Sequence, residues 1–175
     1  MLKTQSPLDS AATGASGLDA VLFREGMSRV AGAVHVVTTG GAKGRAGFTA
    51  TAIAPVTDNP ASLLVCVNTG SRSAQALLAN GVFCVNTLGA ADTGIADVFA
   101  GRADLQGEAR FSVGEWVTLA TGSPVLASAL VSFDCRLTDA RTVATHHIII
   151  GEIVAVRLGE PGSALVYHGR AYREL

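Results

Sequence analysis

Short apolar runs alternate with polar or glycine-rich breaks along this chain, and the period of each run predicts its element. Over Asp19–Ala31, the positions of Val21, Leu22, Met27 and Val30 suit an amphipathic helix, with Gly32 at its end. Val34–Thr39 is dominated by β-branched residues and predicts a strand. Gly40–Gly44 is then a hairpin connection leading into a strand over Gly47–Ala54. Alternation there puts Thr49 and Thr51 on one face and Phe48, Ala50 and Ala52 on the other. Pro55–Pro60 predicts a loop, and Ala61–Val67 a strand buried on both faces. Ser73–Asn80 predicts a short helix with Ser73 as its cap and Gly81 beyond its end. A strand over Val82–Leu88 and a helix over Thr93–Ala100, with Asp92 as its cap, come next, and polar Gly101–Gly114 predicts a surface excursion.

The second half is again strand-rich. Trp116–Leu119 is brief, and Gly122-Ser123-Pro124 is a turn. Leu130–Leu137 and His146–Arg157 are strands, joined by the polar stretch Thr138–Thr145. Leu165–Tyr167, a His168-Gly169 turn and Arg170–Leu175 close the chain. Residues 1–17 are rich in Ser, Thr, Ala and Gly without a period, which predicts a flexible tail before one domain over residues 18–175. The βα alternation of a doubly wound fold is missing, as is a GxGxxG after the first strand. The expectation is a mainly β fold, a closed or partly open barrel with a few short α-helices.

Composition narrows the function. A length of 175 residues suits a single domain, and a hydrophobic share of 49% against 15% charged residues is apolar for a soluble monomer, so an oligomer is expected. A net charge of −1 and scattered basic residues argue against a nucleic-acid footprint. No apolar run approaches the roughly 20 residues that cross a bilayer. The N-terminus lacks a basic-then-apolar leader, so neither membrane nor export is expected. Cys66, Cys84 and Cys135 are widely spaced in apolar contexts and read as reduced core residues of a cytoplasmic protein.

Candidate chemistry gathers in Gly44–Ser73. The loop Asn68-Thr69-Gly70-Ser71-Arg72-Ser73 offers hydroxyls, an amide and a guanidinium where a helix begins, a place suited to an anion. Thr49 and Thr51 are either part of a ligand face or ordinary strand residues; Arg72 is either a phosphate ligand or a solvated side chain. His146 and His147 are adjacent in a strand, so they point to opposite faces and cannot form the paired ligands of a metal site. One of them is expected at a pocket. No Gly-x-Ser-x-Gly elbow, cysteine–histidine pairing or isolated acid/base pair suggests a nucleophilic hydrolase. These residues describe a β-barrel with a site for an anion and a planar ring, and do not by themselves select a reaction.

Six segments in order add to that reading: GFTATAIAPVTDNPASLLVCVNTGSRS, GVFCVNTL, VFAG, RF–GEW–TGSPVL, THHIIIGEI and LVYHGRAYREL. Together they resemble the short-chain flavin reductases, the reductase components of two-component flavin-dependent monooxygenases. The similarity is greatest to the branch serving 4-hydroxyphenylacetate 3-monooxygenase-like hydroxylases and pyrimidine degradation, and it runs from Ala20 to Leu175. The resemblance implies an FMN-binding split β-barrel of Greek-key topology, assembled as a homodimer. It also implies that NADH or NADPH delivers hydride to FMN or FAD, and that reduced flavin leaves for a partner monooxygenase. By the same resemblance, Thr49, Ala50, Thr51 and Ala52 match the segment along the flavin ring. Asn68, Ser71, Arg72 and Ser73 match the loop at its ribityl-phosphate end, and His146 matches a histidine near flavin and nicotinamide. Tyr172 and Arg170 fall in the C-terminal motif, with Tyr172 as a further cofactor contact.

Two departures from the family pattern are visible. Thr51-Ala52 keeps one hydroxyl and loses another, and Ala144-Thr145 precedes His146 where an acid is usual. Two other readings of the barrel remain: a flavin- or haem-binding module without turnover, for which His35, His147 and His168 are the available axial ligands, and a flavin-dependent oxidase of the pyridoxamine-phosphate-oxidase type.

Overall fold

The computed structural model describes residues 17–175; the tail expected over residues 1–17 lies outside them except for Gly17. Helix α1, Ala20–Ser28, begins where the Asp19 carboxylate accepts a hydrogen bond from the Val21 amide at 2.9 Å. It ends at Ser28 instead of Ala31, because the chain turns off to pair β1, Gly32–Ala33, with a strand from the C-terminus. β2, His35–Thr39, and β3, Ala46–Ala50, form the first hairpin. β4, Ile53–Asp58, and β5, Ala61–Asn68, form the second. Helix α2, Arg72–Asn80, leads to β6, Val82–Thr87, and helix α3, Thr93–Phe99, to a 3-10 turn at Gly107–Ser112. The remaining strands are β7, Trp116–Thr118; β8, Pro124–Leu126; β9, Val131–Val143; β10, His146–Leu158; β11, Leu165–His168; and β12, Ala171–Glu174.

Seven of these strands make one antiparallel sheet in the order β3-β2-β6-β9-β10-β5-β4. The β5–α2–β6 connection crosses from one side of the β9–β10 hairpin to the other, a non-local link of the Greek-key kind. The sheet curls so that β3 and β5 come into contact without pairing. The barrel is therefore split, as expected of this fold class. Two clusters fill it, and β2 separates them: Val36 packs with Leu88 and Phe99, whereas Val37 packs with Val65, Phe83 and Ile149. Phe99, Phe111 and Trp116 form a trio with centroids 5.1 to 5.4 Å apart.

Several local expectations differ from the fold. The predicted Gly47–Ala54 strand is broken at Thr51-Ala52, and the predicted loop Pro55–Pro60 is strand as far as Asp58. Pro55 is tolerated because β4 is an edge strand with a bulge between Pro55 and Thr57. The polar stretch Thr138–Thr145 is also mostly strand: β9 and β10 continue pairing to a tight turn at Ala144-Thr145. Its polar composition reflects two largely wet faces, not a loop. Asp92 sits before α3 without capping it; its carboxylate accepts from the Gly89 amide and the Ser128 hydroxyl instead.

Candidate functional site

The break at Thr51-Ala52 and the start of α2 border the split in the barrel. There a cavity of about 780 Å³ is lined by Thr49, Ala50, Thr51, Ala52, Asn68, Ser71, Arg72, Ser73 and His146. Nine of the residues proposed from sequence are thus brought together from three separated segments, with volume enough for a nucleotide-sized ligand. Tyr172 is not among the lining residues. It stands on β12, with its ring 5.5 Å from that of Tyr167 and 5.2 Å from the Arg102 guanidinium. Arg102 also bonds Asp97 at 2.9 Å, so this group braces the C-terminal hairpin against the end of α3. Burial raises the Tyr172 phenol above its ordinary pKa, against the opposing charge of Arg102.

Local chemistry explains how the walls are held. Ser71, not the expected Ser73, caps α2 by accepting from the Ala74 amide at 3.3 Å. Gly81 ends the helix at φ 70°. Ser73 is thereby free to reach across the split and donate to the Gly47 carbonyl at 2.8 Å. The Asn68 side chain accepts from the Gly70 amide at 2.8 Å, which shapes the loop before the helix. Gly47 is required because a Cβ there would stand 2.8 Å from the Phe99 ring.

The two threonines do not form one hydroxyl-lined face. Thr49 donates to the Ala96 carbonyl at 2.7 Å, tying β3 to α3, while Thr51 falls in the break and meets Gly32 on the far side. Strand alternation stops at Ala50, which is why a period-two reading through Ile53 fails here. His146 and His147 do diverge: His146 reaches the cavity, and His147 pairs its Nδ1 with the Thr142 hydroxyl at 3.0 Å. His146 Nδ1 lies 3.0 Å from the Thr145 hydroxyl, leaving Nε2 without a protein partner among the described residues. His35 is inside, with Nδ1 3.0 Å from Thr87 Oγ1, and burial lowers its pKa to about 4.

The sequence reading missed the third wall. Gly101–Gly114 is not only a surface excursion: Gly101, Leu105, Gln106 and Arg110 line the cavity, and Phe111 anchors the segment in the core. The signal was present as Leu105, Phe111 and Val113, the large apolar residues of a largely polar stretch. Cys66 also lines the cavity, because it points to the face of β5 opposite its buried neighbours; Cys84 and Cys135 are the core thiols. Burial, reinforced by the Asp134 carboxylate, pushes Cys135 up to about 12 and raises Cys84 still further.

A sequence profile described as "Flavin reductase like domain" matches residues 27–175. The chain belongs to this family. The flavin reductase is 46% identical over 167 residues to "FMN reductase (NADH) RutF 1" of Methylorubrum extorquens (strain PA1), covering 95% of this chain and 82% of that one. Over 170 residues it is 44% identical to "FMN reductase (NADH) RutF" of Ancylobacter novellus, covering 95% and 93%. Among solved structures it is similar to BorF, described as the flavin reductase component of a bacterial two-component tryptophan halogenase. That match has a TM-score of 0.83 and 32% identity, and covers 90% of this chain and 98% of that chain.

The cavity of this flavin reductase suits a phosphorylated planar ligand. Its lining contains two arginines and no carboxylate, and it sits at the positive end of α2 with Ser71 and Ser73 beside Arg72. Apolar surface from Ala50, Ala52 and Phe48 borders the remainder. These groups fit a flavin mononucleotide in charge and in size.

Proposed function

We propose that this protein is an NADH-dependent FMN reductase that supplies reduced flavin to a partner monooxygenase. The observation that carries this reading is the cavity in which β3, the β5–α2 loop and the start of β10 converge, in a chain of the flavin reductase family. The flavin, when bound, supplies a ring that accepts hydride from the nicotinamide. What the chain itself must do is bind and orient. Arg72, Ser71 and Ser73 take the phosphate end, and Asn68 stands beside the ribityl chain. The Thr49–Ala52 backbone borders the ring. His146 stands at the mouth, where its free Nε2 positions the nicotinamide; it is not required as an acid.

FMN and NADH are the pair carried in the relatives' names, while FAD and NADPH are the alternatives that the same assay separates. The working form is a homodimer. Support comes from α1, none of whose nine residues is buried and which leaves Val21, Leu22, Phe23 and Met27 exposed, an apolar face that a second copy would cover. A monomer by sedimentation velocity at micromolar concentration would overturn that part. The cytoplasm is its place, in keeping with three free cysteines among the described residues.

The test is an anaerobic mixture of purified protein, NADH and excess FMN, followed by flavin absorbance. Rapid bleaching is expected, and no bleaching with either nicotinamide and either flavin sinks the enzyme reading. In the same assay His146→Ala should raise KM for NADH far more than it weakens FMN binding. Unchanged constants would remove His146 from the site.

A further inference from the structure

The third wall of the cavity holds a cation, the arginine of the RF–GEW–TGSPVL segment, to which neither the resemblance nor the binding loop gives a role. Arg110 comes from the 3-10 turn, opposite the α2 start that carries Arg72. Its Nε donates to the Leu105 carbonyl at 3.1 Å and one Nη1 hydrogen points to the Gly47 carbonyl at 3.4 Å. A guanidinium has five N–H donors, so three have no protein partner among the described residues. Two of them are on Nη2, which lies beside Gly101, another residue of the cavity lining.

Nearby carboxylates do not neutralise Arg110. Glu108, in the same turn, is held by Arg45, and Asp97 is held by Arg102. The lining therefore contains two arginines with no ion-pair partner among the described residues, in a chain whose net charge is −1. Both half-buried Arg110 and Ser73 converge on the Gly47 carbonyl, so the two walls share one anchor. Half-buried Arg110, fixed by two backbone carbonyls, and exposed Arg72, both without counter-charges, favour a compact dianion over a neutral ligand.

We infer that Arg110 is a specificity residue that closes with Arg72 on the terminal phosphate, so that the cavity selects a flavin bearing a phosphomonoester dianion over the unphosphorylated flavin. This rests on the flavin-reductase reading of the cavity. The test measures dissociation constants of FMN and riboflavin by flavin fluorescence titration for the wild type, Arg110→Gln and Arg110→Lys. Losing a charge-assisted contact should reduce the FMN-to-riboflavin affinity ratio by about 10- to 100-fold in Arg110→Gln. Arg110→Lys should restore part of that ratio as a point charge without the fork. In the wild type the ratio should also fall as pH drops through the phosphomonoester's second pKa of about 6, and the fall should be shallower in Arg110→Gln.

An equal loss for both flavins in Arg110→Gln would mean that Arg110 only holds the Gly47 and Leu105 carbonyls, and would overturn the inference. An unchanged ratio, or the same pH dependence in both proteins, would do the same. Failure of the wild type to bind either flavin would instead bring down the proposed function itself.

Discussion

Two hollows meet at the Thr51-Ala52 break, and their charges differ. The first is the cavity between β3 and β5, with Arg72 and Arg110 in its walls and no carboxylate. The second, about 610 Å³, lies beneath α1 and is lined by Met27, Val30, Ile53, Tyr167, Arg24 and Arg170, among others. There Arg170 is engaged by Glu25 at 2.7 Å and half-buried His35 is held neutral, which leaves Arg24 as the lining cation without an ion-pair partner among the described residues, against two in the first cavity. Its roof carries exposed apolar side chains. One hollow is thus prepared for a charged ligand, and the other for cover by apolar surface. Uncompensated charge, more than volume, distinguishes them.

The largest disturbance to this contrast should come from Gly47→Ala. The added methyl would press on Phe99 and on the wall that receives Ser73 and Arg110. Overpacking of this kind costs about 1–3 kcal/mol, which lowers Tm by roughly 2–12 °C in a domain of this size. FMN affinity should fall in the same variant, and a fully stable protein with intact FMN binding would show that the first cavity is not rigidly built. Arg72→Gln should weaken FMN binding by about tenfold and flatten its salt dependence, whereas Arg24→Gln, in the second hollow, should change it by less than about twofold. Isothermal titration at low and high salt separates the two, and equal effects would erase the distinction between the hollows.

The third effect is one of pH. His35 has an ordinary pKa of 6.5, which the fold lowers to about 4 by burial. The unfolded chain therefore takes up a proton on His35 below about pH 6.5, and the folded chain does so only near pH 4. Its contribution is fully present above pH 6.5 and is lost as pH falls from there to about 4, on the order of 3 kcal/mol in all. Urea unfolding of wild type and His35→Gln between pH 4 and 7.5 reads the difference. Parallel curves would mean that this hollow is wet enough to hold an imidazolium.

Much of the fold was legible because it follows local rules. The strand over Val34–Thr39 and a helix ending at Gly81 come from β-branching and the C-terminal glycine, which neighbours in sequence suffice to specify, although the helix expected from Ser73 is capped by Ser71. The divergence of His146 from His147 likewise follows from strand alternation, and their places in the structure agree with it. Readings failed where a distant partner decides. Thr138–Val143 looks like a loop until β10 pairs with it, and Pro55 looks like a breaker until it lies on an edge. Tyr172, expected as a cofactor contact, packs on Tyr167 and Arg102 and is not among the residues that line the cavity.

By itself the sequence determined a mainly β fold, the anion-suited loop at Asn68–Ser73 and, through its ordered motifs, the family. Those are properties of composition, period and residue order. Tertiary structure alone decided that Thr49 turns its hydroxyl to Ala96, that Cys66 faces the cavity, and that Arg110 stands across from Arg72 without a counter-charge. The reason is physical: whether a side chain is free depends on which groups from remote segments reach it first, and sequence spacing does not record that competition.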